Sequence, residues 1–187
     1  MTKTALLVMD YQNDILKIFE AQAPTLLKNA QAVLTAARRA QIPVVYVQVA
    51  FRPGYPEVSP NNKSFSGLRT AGRMLLGTEG AAIHPEVAPQ NNEPVIIKHR
   101  VGAFFETDMA TVLRAQGIEH LILMGISTSG VILSTTRHAA DADFAITIVT
   151  DACADPNEEV HQTLMTQVFP RQAEIVTTQE ILAQISK

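Results

Sequence analysis

The chain has 187 residues, of which 47% are hydrophobic and 18% charged, as is typical of one compact domain with a substantial core. Its net charge of -3 argues against a nucleic-acid partner bound through a basic patch, and no run approaches the roughly 20 apolar residues of a membrane span. The single cysteine, Cys153, excludes an internal disulfide, Cys/His zinc spacings are absent, and the start MTKTALLVMDYQ lacks the apolar core of a signal peptide. We therefore expect a cytoplasmic protein that binds neither membranes nor nucleic acid and needs no metal or other cofactor.

The first part of the chain alternates strand and helix patterns. Ala5–Met9 is an uninterrupted apolar run, typical of a buried parallel strand. Asp10 follows at its carboxyl end, where open α/β sheets bind ligands, although aspartate after a strand also serves as a cap or turn residue. Pro24–Ala40 has apolar residues at helical spacing, and Pro43–Val49 is rich in β-branched residues. Strand, helix and strand in this order predict a right-handed parallel crossover.

The segment Ala50–Glu93 is rich in proline and glycine and has one helical patch, around Leu68–Leu76. Excursions of this length in a compact domain are usually lids, binding loops or oligomer contacts. We expect this segment to cross the sheet edge and to carry substrate specificity.

Two later strands also end next to residues that could take part in catalysis or ligand binding. Pro94–Ile97 is the third strand, and Lys98 at its end occupies the same topological place as Asp10. Lys98 could pair with Asp10 and lower its pKa, bind an anion, or simply reach solvent. Leu121–Met124 is the fourth strand, and a turn with hydroxyl side chains leads from it into the next helix. Such a turn is either an ordinary capped junction or an amide-lined site for a carbonyl or carboxylate.

The remaining elements complete an alternating pattern. They are the helices Thr107–Gln116, Pro156–Phe169 and Gln179–Ile185, a helix after Ser129, and the strands Ala145–Val149 and Glu174–Val176. Six strands that alternate with helices predict a three-layer α/β/α sandwich with a mainly parallel sheet.

Five separated motifs are specific in combination: Ala5–Asp14 (ALLVMDYQND), Lys98 with Gly102-Ala103-Phe104 and Thr107, Gly125-Ile-Ser-Thr128, Thr135 with Arg137, and Asp151-Ala152. Together they resemble the isochorismatase-like hydrolases, also called the cysteine hydrolase family, over one domain that spans residues 1–187. The similarity is weakest in Ala50–Glu93. The resemblance implies a Rossmann-like sheet with the strand order 3-2-1-4-5-6 and a homo-oligomer, either a dimer or a tetramer.

The amidase branch of this family uses an aspartate, a lysine and a cysteine, and only the first two are present here. Asp10 and Lys98 match, whereas the cysteine position, counted from the glycine of the G-x-x-T turn, is Val131. Covalent catalysis through a thioester is therefore excluded at that place. Cys153 is expected to be a small buried apolar residue instead. The zinc-binding branch has an Asp–His–His cluster where this chain has FRPGYPE, which agrees with the absence of a metal.

The resemblance implies a hydrolase for a small molecule with a carbonyl or carboxylate, in which Asp10 and Lys98 act with water. The substrate would contact the turn Ser127, Thr128, Ser129, Gly130 and Val131, with amide groups at Ser129–Val131, and also Phe104. Isochorismatases proper have glycine at the position of Val131. A cis peptide at Ile126–Ser127 is expected, and His138 is assigned to packing or a subunit contact. The alternative is a binding protein that retained the pocket without catalysis.

Overall fold

A computed structural model describes residues 3–185 of the chain. Its strands are β1 Thr4–Met9, β2 Val44–Val49, β3 Val95–Lys98, β4 His120–Ile126, β5 Ala145–Ala154 and β6 Glu174–Val176. Its α-helices are α1 Asn13–Leu16, α2 Ala23–Arg39, α3 Lys63–Ala71, α4 Met109–Ala115, α5 Leu133–Asp141, α6 Glu158–Thr163 and α7 Thr178–Ile185. Short 3₁₀ turns occupy Lys17–Phe19, Pro85–Val87 and Phe169–Arg171, and π-helical turns occupy Thr128–Ile132 and Leu164–Val168. Within residues 3–185, no helix has the length and apolar character needed to cross a membrane.

The six strands form one parallel sheet in the order β3-β2-β1-β4-β5-β6, which confirms the predicted fold class and strand order. The chain order reverses on either side of β1, so β1 lies between β2 and β4. Met9, the last residue of β1, pairs with Val47 on one side and with Gly125 on the other. The carboxyl end of β1 is therefore the switch point at which this class of sheet binds ligands.

Both faces of the sheet are covered, which explains why β1 is apolar throughout. Ala5, Leu7 and Met9 lie in one core cluster with residues of α4 and α5. Leu6 and Val8 lie in the other cluster, on the side of α2 and α7. A strand with apolar side chains on both faces is stable only where helices exclude water from both.

A third, smaller cluster lies beneath the Ala50–Glu93 excursion, and it consists of Val49, Phe51, Tyr55, Val58, Phe65 and Met74. The helix in this excursion is Lys63–Ala71, so the predicted position around Leu68–Leu76 is wrong. The amide of Phe65 donates to the Asn62 side chain over 3.3 Å, which starts the helix, and Gly72 ends it with a left-handed φ of 63°. These capping signals decide the boundaries more strongly than the apolar spacing does.

Other boundaries also move by a few residues. The helix predicted at Thr107–Gln116 is observed as α4, and the Thr107 hydroxyl accepts a hydrogen bond from the Met109 amide over 3.3 Å. β5 continues to Ala154 rather than ending at Val149, because a register shift between Leu123 and Gly125 lets the strand resume pairing with β4. The extension places the end of β5 beside the end of β4, so that Asp155, which follows β5, reaches the turn after β4.

Candidate active site

Asp10 leaves the sheet in the left-handed region, with a φ of 60°, and it is 4% exposed. Its amide still donates to Val47 O over 3.0 Å, so the backbone turns immediately after its last sheet bond. Gln12 fixes this turn because its side-chain amide donates to Val49 O over 2.8 Å and accepts from Val49 N over 2.9 Å. The Gln12 side chain also donates to Ala81 O, which joins β1 and β2 to the excursion. Its positioning role was not predicted from the sequence.

Lys98 pairs with Asp10, as the sequence predicted. Its Nζ lies 2.8 Å from Asp10 Oδ2 and donates to Val101 O over 2.9 Å and to Arg100 O over 3.2 Å. An ammonium group has three hydrogens, so these acceptors use all of them. Lys98 is 2% exposed, and the alternatives of a solvent-directed lysine or a lysine free to bind a substrate carboxylate are wrong.

The two oxygens of the Asp10 carboxyl have different surroundings. Oδ2 accepts from Lys98, whereas Oδ1 is buried without a hydrogen-bond partner, a property it shares among the described residues only with the Thr136 hydroxyl. Burial raises the pKa of Asp10 above its ordinary value, and the ammonium of Lys98 opposes that increase without cancelling it. The site therefore contains a buried carboxyl group with one oxygen held by Lys98 and the other without a hydrogen-bond partner.

We expect Lys98→Met to lower the free energy of unfolding by about 3–5 kcal/mol at neutral pH, because the buried Asp10 carboxylate loses its counter-ion. Asp10 has a raised pKa in the folded protein, so protonation of its carboxyl group favours the folded state. This contribution to the free energy of unfolding is complete at low pH and is lost as the pH rises through the pKa of the folded protein. Removing Lys98 raises this pKa further, so the loss in the variant should diminish on acidification.

Denaturant unfolding of both proteins across acidic and neutral pH measures this difference. Lys17→Met is the matched control, because Lys17 is 73% exposed in its pair with Asp14 and should contribute less than about 1 kcal/mol. A Lys98→Met deficit that is constant with pH would contradict the coupling to Asp10.

A cavity of about 310 Å³ opens at the ends of β1, β2 and β4. We call it the Asp10 cavity. Its lining is mostly apolar, and it includes the predicted pair at one end. The lining residues are Asp10, Ile15, Ile18, Phe19, Val49, Ser64, Phe65, Leu68, Arg73, Met74, Lys98, Val101, Ile126, Ser127, Gly130, Val131 and Pro156. An apolar cavity with a few charged groups is the usual form of a small-molecule site.

The turn after β4 contributes Ser127, Gly130 and Val131 to this cavity. The peptide bond Ile126–Ser127 is cis, as predicted, and the turn continues into the π-helical residues Thr128–Ile132. Val131 thus lines the same cavity as Asp10 and Lys98. It occupies the position at which the family resemblance places the nucleophilic cysteine.

The protein itself uses two of the three amides predicted to bind a ligand. The Ser129 N–H donates to Asp155 Oδ2 over 2.7 Å, and the Gly130 N–H donates to Ser127 O over 3.2 Å. The predicted ring of amides at Ser129–Val131 is therefore wrong for these two residues, and the role of the Val131 amide stays a prediction. Asp155 was missed because β5 was predicted to end before it. At the true end of β5 it follows the same positional rule that identified Asp10.

Three predicted substrate contacts do not line the cavity. Thr128 is fully buried, and its hydroxyl lies 2.7 Å from Nδ1 of His161, whose pKa is lowered by burial. Ser129 is exposed and is not among the lining residues. Phe104 belongs to the core and stacks on His138, with ring centroids 4.4 Å apart, so His138 has the packing role that was predicted for it.

Cys153 is a buried free thiol within β5, opposite Gly125 in the sheet. Burial raises its pKa to about 12, so the thiol is neutral near physiological pH. The prediction that Cys153 is a small buried core residue is confirmed. Within residues 3–185, no group of three or more His, Cys, Asp and Glu side chains is arranged to hold a metal ion.

Comparison with known proteins gives one consistent result. The family model described as Isochorismatase domain matches residues 4–180. The ureidoacrylate amidohydrolase RutB of Yersinia enterocolitica is 32% identical over 179 residues, which cover 76% of this chain and 78% of that protein. The maleamate amidohydrolase of Pseudomonas putida is 26% identical over 187 residues, covering 98% of this chain and 87% of that protein. The crystal structure of a cysteine hydrolase from Pseudomonas syringae pv. phaseolicola shares the fold, with a TM-score of 0.88 and 22% identity over 98% of this chain and 92% of that one.

Proposed function

The chain belongs to the isochorismatase family, and on that premise we propose that it hydrolyses a small molecule with water as the nucleophile. Asp10 is the general acid and base, and Lys98 holds its carboxyl group in position. Ser127, Gly130 and Val131 contact the substrate in the Asp10 cavity. The names of two relatives, both amidohydrolases, make an amide-type bond the first candidate for the bond that is cleaved.

The observation that carries this proposal is the buried Asp10–Lys98 pair, whose Oδ1 atom has no partner. Burying two charges costs several kcal/mol per ion before their attraction offsets it, so such a pair contributes little to stability on balance. A buried carboxyl group with a raised pKa and a free oxygen at a cavity is instead the usual arrangement of a general acid or base.

The residues at the cavity support water as the nucleophile. Val131 has no atom that can attack a carbonyl carbon, and Cys153 is a neutral thiol in the core. In the proposed reaction, ionised Asp10 takes a proton through Oδ1 from a water molecule, and the water oxygen forms a bond to the carbonyl carbon. The bond to the leaving group then breaks, and Asp10 returns the proton to that group. Atoms and charge balance without a covalent enzyme intermediate.

A second candidate is a binding protein that retained the cavity but lost catalysis. It is favoured by Val131, which fills the place of the nucleophile with an apolar side chain that is 2% exposed. Both candidates bind a small molecule in the same cavity, so affinity does not distinguish them. Only the hydrolase converts the bound molecule to a product.

We expect the wild-type protein to convert at least one member of a panel of primary amides, ureido acids, esters and vinyl ethers. Product formation is followed by mass spectrometry, and the melting temperature is measured with each compound. Turnover of any member supports the hydrolase. A compound that raises the melting temperature, with no turnover across the panel, supports the binding protein and rejects the hydrolase.

A further inference from the structure

Arg73 lines the Asp10 cavity from the excursion, just after α3 ends. Its backbone is held on both sides, because its amide donates to Leu68 O over 3.0 Å and its carbonyl accepts from the Tyr55 hydroxyl over 2.8 Å. The side chain is 38% exposed, which is compatible with contact to both the protein and a ligand.

One edge of the Arg73 guanidinium is bound to Asp14. Nε lies 3.3 Å from Asp14 Oδ2, and Nη2 donates to Asp14 O over 2.7 Å. Asp14 is itself held by Lys17 Nζ at 3.0 Å and packs so closely against Gly80 that a Cβ there would lie 2.4 Å from Oδ2. Arg73 is therefore anchored by a residue that has little freedom to move.

The other edge of the guanidinium is unused. A guanidinium has five N–H groups in a planar fork, and the two bonds to Asp14 occupy Nε and one hydrogen of Nη2. Among residues 3–185, no acceptor engages Nη1 or the second hydrogen of Nη2. These atoms form the end of the fork that binds a carboxylate through two parallel hydrogen bonds. Lys98, the other cation at the cavity, has no hydrogen left to donate.

The charges at the cavity also favour an anion. Asp10 and Lys98 offset each other within their buried pair, while Asp14 is shared between Arg73 and Lys17, so that group of three carries a net positive charge. The pKa of Asp14 is lowered by its hydrogen bond to Lys17 and by Arg73, so it remains ionised and keeps this balance. The same cavity lining includes the apolar side chains Phe65, Leu68 and Met74 of the excursion.

We propose that Arg73 is the specificity-determining residue of this site and that it binds the carboxylate of a small monoanion with an apolar body. The carboxylate lies on the free edge of the guanidinium, and the apolar body contacts the wall of the excursion. The cleavable group then lies at Asp10, a placement that rests on the proposed function. Recognition of the carboxylate does not depend on catalysis and is tested separately.

The probes are butyrate, benzoate and cinnamate, each compared with its neutral primary amide by calorimetry and thermal shift. The wild-type protein should bind at least one carboxylate at least tenfold more tightly than the corresponding amide. Arg73→Gln should lose that preference by weakening carboxylate binding at least tenfold while leaving amide binding unchanged. Arg73→Lys should fall between them, because it keeps the charge and loses the fork.

Arg69→Gln is the matched control, since Arg69 is an exposed arginine of α3 outside the cavity, and it should bind like the wild type. Asp10→Asn should bind the carboxylate at least as tightly as the wild type. The inference is overturned when the wild type shows no preference for carboxylates, or when Arg73→Gln retains it. Turnover in Asp10→Asn equal to that of the wild type would reject Asp10 as the acid and base of the proposed function and leave the carboxylate site standing.

Discussion

Asp10→Asn is expected to lower turnover by about 10²–10⁴-fold, the usual contribution of a general acid or base. The asparagine side chain has nearly the same shape, and its carbonyl oxygen still accepts from Lys98. It cannot take a proton from water or return one to a leaving group. The effect should therefore fall on kcat, and carboxylate binding through Arg73 should persist.

The measurement is steady-state turnover of the substrate that the compound panel identifies, with unfolding curves to establish that the variant is folded. Glu20→Gln is a matched control, since Glu20 is an exposed carboxylate that lies outside the Asp10 cavity. It should retain wild-type turnover. Unchanged turnover in Asp10→Asn would remove Asp10 from the mechanism and require another acid and base for the hydrolysis.

Val131→Cys is expected to create a single reactive thiol in a protein whose native thiol, that of Cys153, is unreactive. Cys153 does not line the Asp10 cavity, and its pKa is about 12, so the folded wild type should not react with iodoacetamide near neutral pH. A thiol at position 131 lies in the same cavity as Asp10, which can accept its proton, and Lys98, whose charge favours the thiolate. Intact mass should show one added label, and the labelling rate should rise at least 100-fold over that of the wild type.

Ile132→Cys is the positional control, because Ile132 is the next residue of the same π-helical turn and is equally buried but does not line the Asp10 cavity. Its thiol should remain unlabelled. Adding Asp10→Asn to Val131→Cys should slow labelling by removing the proton acceptor. Equal labelling of Val131→Cys and Ile132→Cys would mean that the cavity does not activate a nucleophile at that position, contrary to its assignment from the motif spacing.

Much of the fold is predictable because its signals are local. An apolar run, a β-branched strand and a helical repeat each reflect which faces of one element are buried. The strand order came from the family resemblance, and the sheet confirms it. Asp10 and Lys98 were found because parallel strands end at one edge of the sheet, so charges that follow two of them lie close together. Boundaries were less predictable, as in α3, where Asn62 and Gly72 outweigh the apolar spacing.

The misses at the site share one cause. Ser129 and Gly130 have the amides that an anion site requires, but Asp155 and Ser127 already accept from them. Phe104 is one of several aromatic residues that a pocket could use, and its ring stacks on His138 instead. Asp155 and His138 are distant along the chain from the residues that they contact, and Ser127 accepts from Gly130 only in the folded conformation of the turn, so no sequence pattern reports these partners.

The order of residues specifies the alternation of strands and helices, places one carboxylate and one ammonium at a common sheet edge, and puts valine rather than cysteine at position 131. How those groups are used depends on the packed chain. It buries the carboxyl group so that its pKa rises, uses every hydrogen of Lys98, and leaves one edge of the Arg73 guanidinium unoccupied. The physical reason is that residue identity fixes how many hydrogen bonds a group can form, whereas only the packed chain fixes which of them remain for a ligand.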